Sequence, residues 1–151
     1  MASPRLQQGR RSAVGNVYII TTVVQGRRRI FIDSACADIV VEAIRSAETR
    51  RQTYTIAWVV MPDHMHWMLQ LRAGTLAECM QRFKSQSARV INRLRGTSGS
   101  LWQAGYFDHA LRDESALRRH ARYIAANPVR AGLCGSVDGY AHAWCRWPEE
   151  G

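Results

Sequence analysis

The residues with the clearest chemical potential are His64 and His66, separated by Met65. In an extended strand alternate side chains share a face, so imidazoles at i and i+2 point the same way. Two imidazoles side by side suit a divalent cation. The alternation from His64 to Leu71 agrees with this: Met65, Trp67, Leu69 and Leu71 form an apolar set, and His64, His66, Met68 and Gln70 fall on the other face. Two strand histidines with no ligand would show the same spacing. The pair follows directly on the Pro62-Asp63 turn, between two apolar strands, which sets it on rigid structure.

A second constellation is Tyr123 with Asn127. Residues four apart share a helix face. Tyr123 supplies a phenol, and Asn127 an amide oxygen able to ligate a hard cation. Arg119 lies one turn before Tyr123, and Arg122 and Arg130 are close in sequence. A phenol near a cation and arginines can attack phosphorus as a phenolate, giving a covalent phosphotyrosine. A metal would act there as a Lewis acid on the scissile phosphate. A packing tyrosine and an Asn-Pro helix end would give the same pattern. Tyr18, Tyr54, Tyr106 and Tyr140 are rival nucleophiles by type, but none has a helical partner like Asn127.

These residues need elements to hold them. Val17 to Val24 is rich in β-branched residues and reads as a strand. Gln25 to Arg29 is a basic turn containing Arg27, Arg28 and Arg29, and Ile30-Phe31-Ile32 resumes apolar character. Asp33 or Ser34 caps a helix to about Arg51, with Ile39, Val40, Ala43, Ile44 and Ala47 as its apolar stripe. Tyr54 to Met61 is a second strand and His64 to Leu71 a third. Thr75 to Glu78 resembles a capping box. The helix it opens turns Leu76, Met80, Phe83, Val90, Ile91 and Leu94 inward and leaves Arg82, Arg89 and Arg93 outside. Leu101 to Arg112 reads as a fourth strand with a turn near Gly105. Glu114 to Ala126 reads as a third helix, ended by Pro128. A short helical turn follows, and Trp144 and Trp147 pack back on the domain.

This order predicts an α+β fold: an antiparallel sheet with helices on one face. A third helix crossing the other face would create a cleft. Residues 1–14 read as a basic arm and 15–151 as one domain. Trp58 and Trp67 read as core rather than base-stacking residues.

Composition narrows the partners. The chain has 151 residues, 46% apolar and 22% charged, which is globular and not disordered. Its formal charge of +9 points to a polyanion, nucleic acid first. Arg5, Arg10 and Arg11 in the arm, and Arg27, Arg28 and Arg29 in the turn, can grip phosphates. Cys36, Cys79, Cys134 and Cys145 form no Cys-x-x-Cys pair, so reduced thiols in a soluble cytoplasmic protein are expected. No stretch has the length of a membrane span, and no apolar leader is visible.

Several segments match one known family. Trp58-Val59-Val60-Met61-Pro62-Asp63-His64-Met65-His66 resembles the HUH signature of single-tyrosine transposases. Arg122 to Leu133 resembles the tyrosine segment of the REP-associated tyrosine transposases, as do Trp102-Gln103, Tyr106 to His109, and Phe83-Lys84-Ser85. The resemblance spans about Gly15 to Tyr140. It implies an RRM-like, ferredoxin-like antiparallel sheet. It also implies His64, His66 and Asn127 as ligands of Mg2+ or Mn2+, and Tyr123 as the nucleophile that makes a 5′-phosphotyrosine link and frees a 3′-hydroxyl. The implied substrate is single-stranded DNA carrying palindromic hairpins, the repetitive extragenic palindromes. Lys84, Arg119, Arg122 and Arg130 are the further candidates for DNA contact. Related insertion-sequence enzymes use glutamine at the Asn127 position, and the first strand, Ile19-Ile20-Thr21-Thr22, lacks a histidine often found there.

Two other readings compete. A non-catalytic module binding hairpin DNA or RNA would need the basic surface but not His64, His66 and Tyr123 together. A metal-dependent hydrolase would need a further carboxylate or histidine cluster, and none is evident. Asp108-His109 offers a DNA-contacting or acid–base pair or a structural hydrogen bond, and His120 is a surface or packing residue. The short segment after Tyr123 favours a monomer over a helix exchanged between subunits.

Overall fold

A computed structural model describes residues 12–147. Five strands form one antiparallel sheet in the order β4-β1-β3-β2-β5. They are β1 (Val17–Val23), β2 (Thr53–Val60), β3 (His64–Leu71), β4 (Phe107–Leu111) and β5 (Ala143–Cys145). The helices are α1 (Ser34–Thr49), α2 (Leu76–Arg95), α3 (Leu117–Ala125) and α4 (Asn127–Arg130).

Strand alternation divides the core into two layers. On one face Tyr18, Ile20, Met65, Trp67, Leu69 and Leu71 meet Val40, Ile44, Met80 and Phe83 of α1 and α2. Trp67 and Phe83 stack with centroids 5.4 Å apart. The indole of Trp67 donates to Thr55 Oγ1 at 3.2 Å, so the largest buried side chain leaves no polar group unmet. On the other face Met68, Ala57 and Val59 meet Ala121 and Ile124 of α3. The third helix therefore crosses the face opposite α1 and α2, which is the face that His64 and His66 share with Met68.

Local signals fix the helix starts. Asp33 accepts from the Ala35 amide and opens α1. Thr75 accepts from the Glu78 amide and opens α2, which ends at Gly96 in the left-handed conformation that glycine tolerates best. Pro128 has no amide hydrogen, and the helix breaks at Ala126 before restarting as α4.

The structure departs from the sequence reading at four places. Val90 and Leu94 of α2 are 37% and 55% exposed, not inward, and Ile91 is the last residue of that helix in the core. The fourth strand is only Phe107–Leu111. Leu101 and Trp102 instead anchor a loop in the core, with a single bridge from Trp102 to Val24. Ile30–Ile32 forms a 3-10 turn that buries Ile30 and Phe31 and exposes Ile32. The fifth strand was not foreseen, since three residues carry no readable alternation. Arg5, Arg10 and Arg11 lie outside the described residues. Residues 12–14, assigned by sequence to the arm, are tied to the domain: Ser12 Oγ accepts from the Leu76 amide at 2.8 Å. Among the described residues no helix is long and apolar enough to cross a membrane.

Candidate functional site

The site begins with the two imidazoles on β3. Their ring centroids are 5.0 Å apart and nearly perpendicular. Each Nδ1 is already engaged. His64 Nδ1 is 2.6 Å from Asp63 Oδ1, and His66 Nδ1 is 2.8 Å from Thr21 Oγ1. The Asp63 carboxylate only accepts, so it fixes the orientation and tautomer of His64 and leaves Nε2 as its available ligand atom, while the Thr21 hydroxyl orients the His66 ring. Thr21 reaches His66 because β1 pairs with β3 in a register that sets the two directly opposite. Asp63 reaches His64 from the turn just before the strand.

Electrostatics favour neutral, ligating imidazole at His66. Burial, then the charges of His64 and Arg130, push its pKa down to about 4. At neutral pH a nitrogen lone pair is therefore always available. Burial opposes ionisation of Asp63, but the hydrogen bond and charge of His64, followed by Arg27, outweigh it and hold the carboxyl below its usual range. Arg27 touches Asp63 Oδ2 at 3.4 Å, which brings the basic turn to the rim of the site.

Tyr123 is 62% exposed, the only exposed tyrosine among the described residues. The rivals are otherwise occupied. Tyr18 is buried, and Tyr54 lies under the Arg146 guanidinium. Burial, then the charge of Asp108, pushes Tyr106 up to about 12. Tyr140 donates its hydroxyl to the Val60 carbonyl. The packing explanation for Tyr123 thus fails, since Ala121 and Ile124 carry the packing of α3. The guanidinium of Arg130 lies 3.5 Å from the Tyr123 ring centroid, and its charge also acts on His66. Tyr123 lies on α3 and Asn127 and Arg130 on α4, beyond the break at Ala126, and Arg130 reaches back over the Tyr123 ring. Asn127 opens α4 and is half-buried.

The remaining candidates scatter. Arg29 and Arg119 are exposed. Arg28 donates to the carbonyls of Gln25 and Ser100, bracing the basic turn. Arg122 donates to the Trp147 carbonyl and holds down the C-terminal segment. Lys84 projects from α2, the helix packed on the opposite face of the sheet, and its ammonium donates to the carbonyls of Gln103 and Gly105. Burial lowers its pKa to about 8. Asp108 and His109 point to opposite faces of β4, Asp108 buried and His109 exposed. Sequence reasoning missed Thr21 and Asp63 as orienting groups. An Asp-His neighbour pair was readable, but the Thr21 contact depends on a register that only strand pairing reveals.

An antiparallel sheet presenting two imidazoles on one face, with a tyrosine-bearing helix laid across that face, defines an α+β fold of the HUH transposase type. The profile of the IS200-like transposases matches residues 13–127, and the chain belongs to that family. A Haemophilus influenzae protein assigned as a REP-associated tyrosine transposase is 27% identical over 144 residues, covering 85% of this chain and 79% of that protein. The REP-associated tyrosine transposase of Escherichia coli K12 is 34% identical over 83 residues, covering 54% of this chain and 47% of that protein. A solved REP-associated tyrosine transposase bound to a REP hairpin superposes with a TM-score of 0.71 at 26% identity, covering 87% of this chain and 77% of that one. Within the family, the chain is similar to the REP-associated tyrosine transposases.

Proposed function

We propose that this protein is a metal-dependent single-strand DNA nicking and joining enzyme that acts at palindromic hairpins through Tyr123. The observation that carries the reading is the position of Arg130. Its guanidinium stacks on Tyr123, the exposed tyrosine among the described residues, on the helix that crosses the sheet face bearing His64 and His66, and its charge acts on His66, which supports the reading. The partner follows from the hairpin-bound relative and from the charge of +9.

The donor set fits a divalent ion. Both Nδ1 atoms have orienting partners, His64 and His66 share one face of β3, and the Asn127 carboxamide is a third candidate donor. Mg2+ or Mn2+ bound there would polarise the scissile phosphate and stabilise the leaving oxygen. The chain's own groups do the rest. Tyr123 Oη gives up its proton and attacks phosphorus. The phosphorus–O3′ bond breaks, and the leaving oxygen takes a proton to become a 3′-hydroxyl. The 5′-phosphate stays on Tyr123. Attack by another 3′-hydroxyl reverses the step and joins strands. Arg130 offsets negative charge on the phosphoryl oxygens, and Arg27 at the rim meets flanking phosphates. The packing of the tyrosine helix on its own sheet supports a site built within one chain.

The test is incubation with labelled single-stranded DNA carrying palindromes from beside the gene, with Mn2+, on a denaturing protein gel. A shifted band that disappears in Tyr123→Phe is expected, with the thermal midpoint unchanged because Tyr123 is exposed. Tight binding with no adduct for any palindrome or metal would refute nicking and favour the non-catalytic hairpin-binding module.

A further inference from the structure

One large apolar side chain on the site face lies outside the cover of α3. Phe107 begins β4, an edge strand, and is 51% exposed. Its register partner is Thr21, whose other partner is His66. Phe107, Thr21 and His66 thus form one row across three strands, with side chains on the same face. Adjacent strands lie about 4.8 Å apart, so the Cβ atoms of Phe107 and His66 stand about 10 Å from each other. A base attached to a nucleotide neighbouring a phosphate at His66 falls within that reach. His109, two residues along, shares this face and is also exposed.

Phe107 is also held in place. The loop before it is pinned where Lys84 donates to the carbonyls of Gln103 and Gly105, and Gln103 N–H donates to the Val23 carbonyl. A half-buried lysine spent on loop carbonyls is costly unless the geometry it fixes is needed. Farther along the same face Val17, Gln70, Leu111 and Leu117 line a depression that continues the track.

We propose that Phe107 is a stacking platform for the nucleobase beside the scissile phosphate, and so sets which phosphate meets Tyr123. This rests on the nicking reading for its setting, but stacking itself needs neither the nucleophile nor a metal. Exposed aromatics in single-strand binding sites stack bases with little sequence preference.

The experiment therefore uses the full chain carrying Tyr123→Phe, without metal, and a short fluorescent oligothymidylate. Phe107→Tyr should bind as the parent does. Phe107→Ala and Phe107→Leu should bind about tenfold more weakly, with thermal midpoints unchanged, because leucine keeps the apolar contact but not the π-face. A 2-aminopurine placed within the oligonucleotide should be quenched by the parent and by Phe107→Tyr, but not by Phe107→Leu. Parent-like binding and quenching by Phe107→Leu would overturn the proposal, as would no binding by the parent. Failure of nicking alone would appear as a missing adduct in the wild-type chain while these binding differences persist.

Discussion

Replacing Thr21 by valine removes one hydroxyl and keeps the β-branched shape, so strand β1 and its register should survive. The lost contact is the 2.8 Å hydrogen bond to His66 Nδ1. Losing a neutral, half-buried hydrogen bond costs about 1 kcal/mol of stability. Its effect on metal affinity should be larger in proportion. A ligating imidazole without its outer partner loses orientation, and such losses weaken metal binding by about 10- to 100-fold. That is about 1.4–2.7 kcal/mol of binding free energy. Protonation does not confound the comparison at neutral pH, since His66 titrates near 4. The assay is calorimetric titration of DNA-free protein with Mn2+, with thermal midpoints measured alongside. Wild type should bind, His66→Ala should not, and Thr21→Val should lie between. Thr21→Val binding as tightly as wild type, with His66→Ala inert, would refute the assignment of Thr21 as the orienting group.

Arg130→Ala should slow adduct formation about a hundredfold, while costing under about 1 kcal/mol of stability because the Arg130–Tyr123 pair is exposed; gel-based single-turnover rates and urea melts check both. Lys84→Met should destabilise the fold by about 2 kcal/mol in urea melts by leaving two loop carbonyls without their donor. Unchanged stability with weaker DNA binding would instead make Lys84 a phosphate contact. The metal-free protein should lose stability on acidification between about pH 6.5 and 4, because the unfolded chain protonates His66 in that window and the folded chain does not. The full difference, reached below pH 4, is about 3 kcal/mol, and a His66→Asn variant should show a flatter pH profile in urea melts.

Local periodicity determined much of this protein. Alternation along His64–Leu71 set Trp67 and Leu69 in the core and both imidazoles on the other face, and the structure agrees. The caps at Asp33 and Thr75 and the helix break before Pro128 were readable because each involves residues within one turn. The helical spacing of Tyr123 and Asn127 reads as one shared helix face, whereas the two residues stand on either side of the break at Ala126. What the sequence could not determine depends on which distant segments meet. The Thr21–His66 contact joins residues 45 apart in the chain, through a strand register that no local pattern records. Placement of Arg130 over Tyr123 needed the bend at Ala126 and the docking of α3 on Met68. Lys84 was a candidate for DNA contact in the sequence, and only the loop from 101 to 106 folding back presents the carbonyls to which it donates. Val90 and Leu94 kept the helical pattern of core residues, but α2 offers them no buried partner. Periodicity says which side chains share a face. Only tertiary packing decides what that face meets, because the free energy of burial and of hydrogen bonding lies in the partner as much as in the residue.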